Sequence, residues 1–221
     1  MKPLLWPENI SDAKSAQLAL KDKVRFAPLR KTPHLIAGVD ASYAEGRVIG
    51  VACLYRYPEL IPVEHAFSVR ETAFPYIPGY LTFREGPAVV EALSNLKTKP
   101  HIILVDGQGI AHPKGIGIAS HLGVLLGIPS IGCAKSRLIG EYEPPGFSRG
   151  AWSPLRYEGR VVGAVLRTRD NVRPLFVSPG HMIDLRTSIE IVLGCVGRYR
   201  IPEPLRRADL LSHKLRAESS V

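Results

Sequence analysis

A chain of 221 residues fits one large domain or two small ones, and its 45% hydrophobic content allows a sizeable core. The net charge of +9 suggests a polyanionic partner, most often nucleic acid and sometimes an acidic membrane surface. The three cysteines, Cys53, Cys133 and Cys195, lie in apolar stretches and form no CxxC pair. This argues against a disulfide framework and a zinc site, and for reduced core residues of an intracellular protein. Pro3 and Pro7 interrupt MKPLLWPENI, and no apolar run approaches membrane-spanning length, so neither a leader nor a membrane helix is expected.

In chain order, residues 10–25 read as a helix with a basic face. LIAGVDASY (35–43) reads as a buried strand interrupted by one carboxylate, Asp40, and residues 46–57 and 61–73 as two more strands joined by tight turns. Pro75 and Pro78 make residues 74–85 a stiff extended loop carrying Tyr76. Pro87 suits a first helical turn, so a helix is expected over 87–97 with Glu85 at or just before its start. HIILVD (101–106) is an apolar strand ending in Asp106, followed by a glycine-rich loop and a helix over 117–127. A short strand over 130–136 leads to Lys135, and residues 141–160 read as surface loops. Residues 160–168 and 174–180 suggest a hairpin. Asp184 caps a helix running to about Cys195, and a basic helix over 203–216 closes the chain. No internal repeat or linker stands out, so one domain over residues 1–221 is expected.

The β-β-β-α-β-α-β order predicts an α/β fold: a mixed sheet flanked by helices, in the ribonuclease-H-like arrangement that makes the first and fourth strands neighbours. Asp40 and Asp106 would then sit side by side. A buried carboxylate needs a partner or a metal. One such Asp is more simply a cap or half of an ion pair. Two on adjacent strands, with Glu85 within reach, favour a site for a hard cation such as Mg²⁺ or Mn²⁺. Lys135 is a candidate for contacting a phosphate and equally a solvated strand end. His112 is a candidate for contacting phosphate or water, although a lone histidine is more often structural. The stretch DGQGIAHPKGIGIASHLG (106–123) lacks the third glycine of a dinucleotide loop and opens on a repelling carboxylate. It fits instead the close approach of backbone to a flat ligand.

Five ordered blocks, GVDASY (38–43), PYIPGYLTFRE (75–85), VDGQGIAHPKGIGIASHLG (105–123), IGCAKSRL (131–138) and SPGHMIDL (178–185), resemble the endonuclease V family, the deoxyinosine 3′-endonucleases. The likeness covers roughly residues 37 to 186 and continues more weakly in RRADLLSHKLR. It implies a ribonuclease-H-like fold, Mg²⁺ dependence with Mn²⁺ as substitute, and hydrolysis of the second phosphodiester bond 3′ to an inosine, leaving 3′-hydroxyl and 5′-phosphate. By motif match, Asp40 and Asp106 are metal ligands and Glu85 completes the acidic cluster. Lys135 and His112 assist, and His213 carries over less securely. Tyr76 is the wedge of the DNA-binding loop formed with Pro75, Ile77 and Pro78. Gly79, Leu81, Gly107, Gly117 and Ile118 are expected to line a pocket for the flipped base. The resemblance also implies a cytoplasmic protein, expected to be a monomer without a membrane partner, acting on inosine-containing DNA.

Three rivals follow from the same residues. An inosine-specific endoribonuclease shares every feature, and only the compact chain favours DNA. A non-catalytic lesion-binding protein explains the charge and the wedge but leaves Asp40, Glu85 and Asp106 without a purpose. A nucleotide-dependent oxidoreductase is disfavoured by the glycine-loop departures.

Overall fold

The computed structural model describes residues 6–29, 31–72 and 74–219. One eight-stranded mixed sheet forms its centre, in the order β3-β2-β1-β4-β5-β8-β7-β6. β1 (Leu35–Ala44), β2 (Arg47–Arg56) and β3 (Ile61–Glu71) form an antiparallel meander. The β1–β2 connection is the two-residue turn Glu45-Gly46, both at positive φ (47° and 77°), the geometry that matches strand twist. α2 (Leu81–Ser94) then crosses to β4 (Ile102–Val105), which runs parallel to β1. α3 (Ile118–Leu126) leads to β5 (Ser130–Ala134), parallel to β4. β6 (Trp152–Tyr157), β7 (Arg160–Leu166) and β8 (Leu175–His181) complete the sheet, each antiparallel to its neighbour, with β8 antiparallel to β5. α1 (Ile10–Lys21) precedes the sheet, and α4 (Leu185–Gly194) and α5 (Glu203–Glu218) end the chain.

Strand alternation divides the core into two layers. Ala37, Val39, Ile103 and Val105 pack with Val89, Ala92, Ala119 and Leu122 of α2 and α3. Ile36, Ile102, Leu104 and Ile131 point the other way, toward Ile189 and Val192 of α4 and Leu205 of α5. The expected α/β architecture with neighbouring first and fourth strands is therefore present.

Four local expectations need correction. α1 ends at Lys21 rather than near residue 25. α2 begins at Leu81, so Pro87 lies inside the helix and Glu85 in its second turn rather than at its start. Phe83 explains the early start: it is buried against Phe74 and Ala13 in a small aromatic cluster, and the packing of its turn outweighs a missing side-chain cap. The segment 141–160 is not all loop, because Trp152–Tyr157 is a strand. It is an edge strand, which is where Pro154 is tolerated. The third strand ends at Glu71, and residue 73, in the range expected for it, lies outside the described residues.

Candidate active site

The parallel pairing of β1 with β4 sets Val39 opposite Val105, so the next residues, Asp40 and Asp106, emerge together. Alternation turns Ile36, Gly38 and Asp40 to the face covered by α5. Gly38 makes that cover close, since a Cβ there would fall 2.2 Å from the carbonyl carbon of Pro204. α5 thereby carries Asp209 and Ser212 to the carboxylates. Asp40, Asp106 and Asp209 each offer an oxygen within 4.8 Å of the others. Ser212 Oγ donates to Asp40 Oδ2 at 2.7 Å, and the Ser212 carbonyl accepts from Ser42 Oγ at 2.8 Å. Lys135, just past β5, reaches Asp106 Oδ2 at 2.7 Å and Asp209 Oδ1 at 2.8 Å.

Burial pushes the Asp40 carboxyl up to about 6, with Asp106 and Asp209 adding repulsion and Ser212 and Lys135 opposing it. Glu85 approaches from α2: its Oε1 accepts from the Tyr43 hydroxyl at 2.6 Å, and Arg84 lies over the Tyr43 ring at 4.7 Å. Burial, with the charges of Asp40 and Asp106, pushes Glu85 up to about 7 despite the hydrogen bond from Tyr43. Burial works against the charged Lys135 amine, yet its bonds to Asp106 and Asp209 prevail and raise its pKa. The group is rich in oxygen donors and short of countercharge. That chemistry fits a hard divalent cation, not a thiolate- or imidazole-bound metal.

A second group of residues surrounds the loop that precedes α2. Phe74 is buried with Phe83, and Ile77 and Tyr80 pack on them, so the loop is held by its ends. Tyr76 between them is 68% exposed, which rules out a tyrosine buried in a proline-rich turn. Pro75 and Pro78 beside it are also exposed. Gly79 has φ of +84°, and its carbonyl accepts from Gln17 Nε2 at 3.1 Å. The same Nε2 donates to the Ile116 carbonyl at 3.2 Å, so one buried side chain of α1 joins the tyrosine loop to the glycine-rich loop. Lys114 adds a second tie by bonding the Tyr80 hydroxyl and lying over its ring.

The glycine-rich loop folds tightly on itself. A Cβ at Gly107 would lie 2.5 Å from Ile118 Cγ2, and one at Gly117 2.4 Å from the Gln108 carbonyl oxygen. Gly107 thus packs on Ile118 at the start of α3, with Gly117 as its N-cap, while Leu81 opens α2 two residues after Gly79. His112 stands against Gly79, where a Cβ would lie 3.6 Å from its Nε2, and its Nδ1 accepts from the Lys114 amide at 3.2 Å. Burial and the Lys114 charge push it down to about 4, so it is neutral. Its contacts are with Gly79 and Lys114 rather than with the carboxylates. His213 is exposed on α5, one turn beyond Asp209 on the same helix face.

The comparisons decide which proteins share this arrangement. The family model described as endonuclease V matches residues 18–210. The chain belongs to the endonuclease V family. Endonuclease V of Roseiflexus sp. (strain RS-1) is 46% identical over 94% of this chain and 93% of its own. The crystal structure of endonuclease V from Streptomyces avermitilis superposes with a TM-score of 0.94 at 40% identity, covering 99% of this chain and 98% of that one. Endonuclease V of Ciona intestinalis, in complex with a 24mer DNA containing an inosine followed by a ribo-adenosine, matches with a TM-score of 0.82 at 30% identity, covering 96% and 99%. The protein is accordingly a nuclease with an α/β fold, and its acidic cluster can hold a metal ion. Among the described residues, no helix is long and apolar enough to cross a membrane.

Three residues of this site are not evident in the sequence alone. Asp209 is the only acid between residues 204 and 217, four positions before His213, and that isolation in a basic helix was its signal. Tyr43 lies inside the GVDASY block, but its bond to Glu85 spans 42 positions. Gln17 had no signal, since a glutamine on an expected amphipathic helix reads as surface.

Proposed function

We propose that this protein hydrolyses inosine-containing DNA at the second phosphodiester bond 3′ to the lesion, with Mg²⁺ as its natural metal. The observation that carries the reading is the convergence within 4.8 Å of Asp40 and Asp106, just past the parallel pairing of β1 with β4, and Asp209 of α5. These three would hold the ion, which when bound supplies charge neutralisation and water activation at the phosphate. Lys135 holds the excess carboxylate charge on Asp106 and Asp209 and contacts the scissile phosphate. Glu85, whose carboxyl titrates near neutrality, can take and return a proton at the attacking or leaving oxygen. His213 faces the nucleic acid from α5.

Tyr76 fills the gap left by the flipped base, with Pro75, Ile77 and Pro78 fixing its direction. The base enters the pocket between Gly79, Leu81, Gly107, Gly117 and Ile118. Hypoxanthine presents an acceptor at O6 and a donor at N1, which backbone N–H and C=O groups can match, whereas adenine presents the reverse. Guanine shares both groups, so close walls must exclude its 2-amino group. His112, neutral and buried behind Gly79, supports the wall. Each correct hydrogen-bond match contributes about 1–3 kcal/mol, mostly through the cost of leaving the wrong base unpaired. The protein is read as a cytoplasmic monomer.

Inosine-containing RNA is the second reading. The ribo-adenosine beside the inosine in the Ciona intestinalis complex favours it, and no residue described above separates the two sugars. Labelled DNA and RNA strands of one sequence, with inosine or adenosine at one position, assayed with and without Mg²⁺, test both. Mg²⁺-dependent cutting of DNA directly after the inosine's 3′ neighbour, at the second phosphodiester bond, is expected. Equal cutting of the adenosine control would overturn the reading, and cutting of RNA alone would replace it by the second.

A further inference from the structure

The carboxylates and Lys135 leave the sheet at one edge, and a second exposed aromatic leaves at the same edge. β5 pairs Ala134 with Phe176, β8 pairs Leu175 with Leu166, and β7 pairs Leu166 with Trp152. The segments just before Trp152 and between Leu166 and Leu175 therefore open on the side where Lys135 emerges. β7 and β6 lie three and four strands from β4. At about 4.8 Å per strand this is about 14–19 Å from Asp106, or about four to six base steps.

Phe147 on the segment PPGFSRG is 73% exposed, more than any other large hydrophobic residue described. Its loop is held firmly. Arg167, only 8% exposed, donates to the carbonyls of Pro145 and Gly146 at 3.1 and 3.0 Å and also to that of Val172. The Asn171 amide donates to the Phe147 carbonyl at 2.9 Å. The Arg167 guanidinium lies 5.4 Å from the ring centroid, so one face of the ring rests on a fixed cation. Beside it Arg149 and Arg169 line a cavity of about 240 Å³. Asp170 lines it too, but its Oδ1 accepts from the Arg149 backbone amide at 2.6 Å. Each arginine side chain gives one bond to a carbonyl at or just past the end of α4: Arg149 to Leu193 at 3.0 Å and Arg169 to Gly197 at 2.8 Å. A guanidinium has five donors, so helix capping alone leaves most of this capacity unused.

We propose that this loop is a second nucleic-acid contact. An unpaired base of the strand running out from the active site stacks on Phe147, and a phosphate of that strand sits between Arg149 and Arg169. The pairing of an exposed ring with fixed cations is what single strands require, because every base has a face to stack and every step a charge to neutralise. The proposal rests on the inosine-cleavage reading only for the position of the strand.

The test measures binding in EDTA to a short inosine duplex, blunt or carrying a single-stranded extension of about eight nucleotides on either side, a length set by the reach above. The wild-type protein should bind one extended form about fivefold to tenfold more tightly than the blunt form. Phe147→Ala should lose most of that gain. Arg149→Gln with Arg169→Gln should reduce the slope of log K against log salt by about 1.4, the single-strand value for two contacts. Blunt-duplex affinity and thermal midpoint should stay unchanged in all variants. The proposal is overturned if no extension adds affinity, if the gain survives both variants, or if the blunt duplex weakens equally. Failure of the blunt duplex to discriminate inosine from adenosine would sink the substrate reading instead, since the extension gain is measurable on an unmodified strand.

Discussion

The carboxylate cluster and the tyrosine loop are built on opposite principles. At Asp40, Asp106 and Asp209 the fold forces like charges together and supplies one lysine between them. At Phe74–Tyr80 the ends of the loop are packed, and Tyr76 is left facing water between the exposed Pro75 and Pro78. The first region stores electrostatic tension that a cation relieves. The second stores apolar surface that a ligand covers. Substitutions should therefore act with opposite signs on stability: neutralising the cluster relieves strain, while loosening the loop's supports costs it.

The largest effect belongs to the cluster. Asp40→Asn, Asp106→Asn and Asp209→Asn should each lower Mg²⁺-dependent cleavage by about a thousandfold or more, since each removes an oxygen ligand of a hard-cation site. Metal-free Asp40→Asn should nevertheless be more stable than wild type at pH 8, by about 1–3 kcal/mol, because a carboxyl raised to about 6 is held ionised there at a cost. Urea unfolding in EDTA beside a cleavage assay measures both. Normal turnover would remove the residue from the site, and a destabilised Asp40→Asn would mean that its hydrogen bond from Ser212 outweighs the repulsion.

Tyr76→Ala should weaken binding and cleavage of an inosine duplex by about tenfold to a hundredfold, the worth of one base–aromatic stack. Tyr76→Phe should lose little, because the face of the ring acts. With the ring 68% exposed, neither change should move the thermal midpoint, and a Phe variant as poor as Ala would show that the hydroxyl acts instead. Gln17→Met tests the support of that loop with side-chain volume kept. Losing two bonds to the Gly79 and Ile116 carbonyls should destabilise the protein by about 1–3 kcal/mol and lower the preference for inosine over adenosine about fivefold. Unchanged base preference with reduced stability would make Gln17 a packing residue only.

How much of this was legible depends on how far apart the partners lie in sequence. Asp40 and Asp106 were readable because each breaks an apolar strand, and βαβ handedness then makes those strands neighbours. Asp209 was harder: it sits on a helix whose position depends on the backbone of Pro204 and Leu205 meeting Gly38, a contact that no periodicity encodes. The β6–β7 hairpin was readable and overlooked. Its turn, Glu158-Gly159 before Arg160, repeats Glu45-Gly46 before Arg47 of the first hairpin, with φ of 49° and 74° against 47° and 77°. Pro154 obscured it, although proline on an edge strand is no contradiction. Pro87 misled in the other direction, because helix-start preference yielded to the burial of Phe83 a turn earlier.

The smallest expected effect concerns pH. Asp40 and Glu85 have folded-state values of about 6 and 7, above the ordinary 3.8 and 4.5. The folded protein therefore holds protons that the unfolded chain has released, and this contribution, complete below about pH 4, is lost as pH rises through 6 to 7. His112 and His121, both buried and lowered to about 4 from the ordinary 6.5, run the other way: their contribution is complete above 6.5 and lost as pH falls toward 4. The two pairs oppose each other across the same window, so the metal-free thermal midpoint should vary little between pH 4.5 and 7. A bound cation requires the ionised carboxylates and removes the first contribution, leaving the histidines. In saturating Mg²⁺ the midpoint should then climb with pH over this range, and the metal-induced increment should be larger at pH 8 than at pH 5.5 by a few degrees, at about 2–4 °C per kcal/mol for a chain of this size. Thermal scans at both pH values with EDTA or Mg²⁺ provide the measurement. An increment independent of pH would show that the ion binds elsewhere than at these raised carboxylates, and an increment abolished by Asp106→Asn alone would place it there.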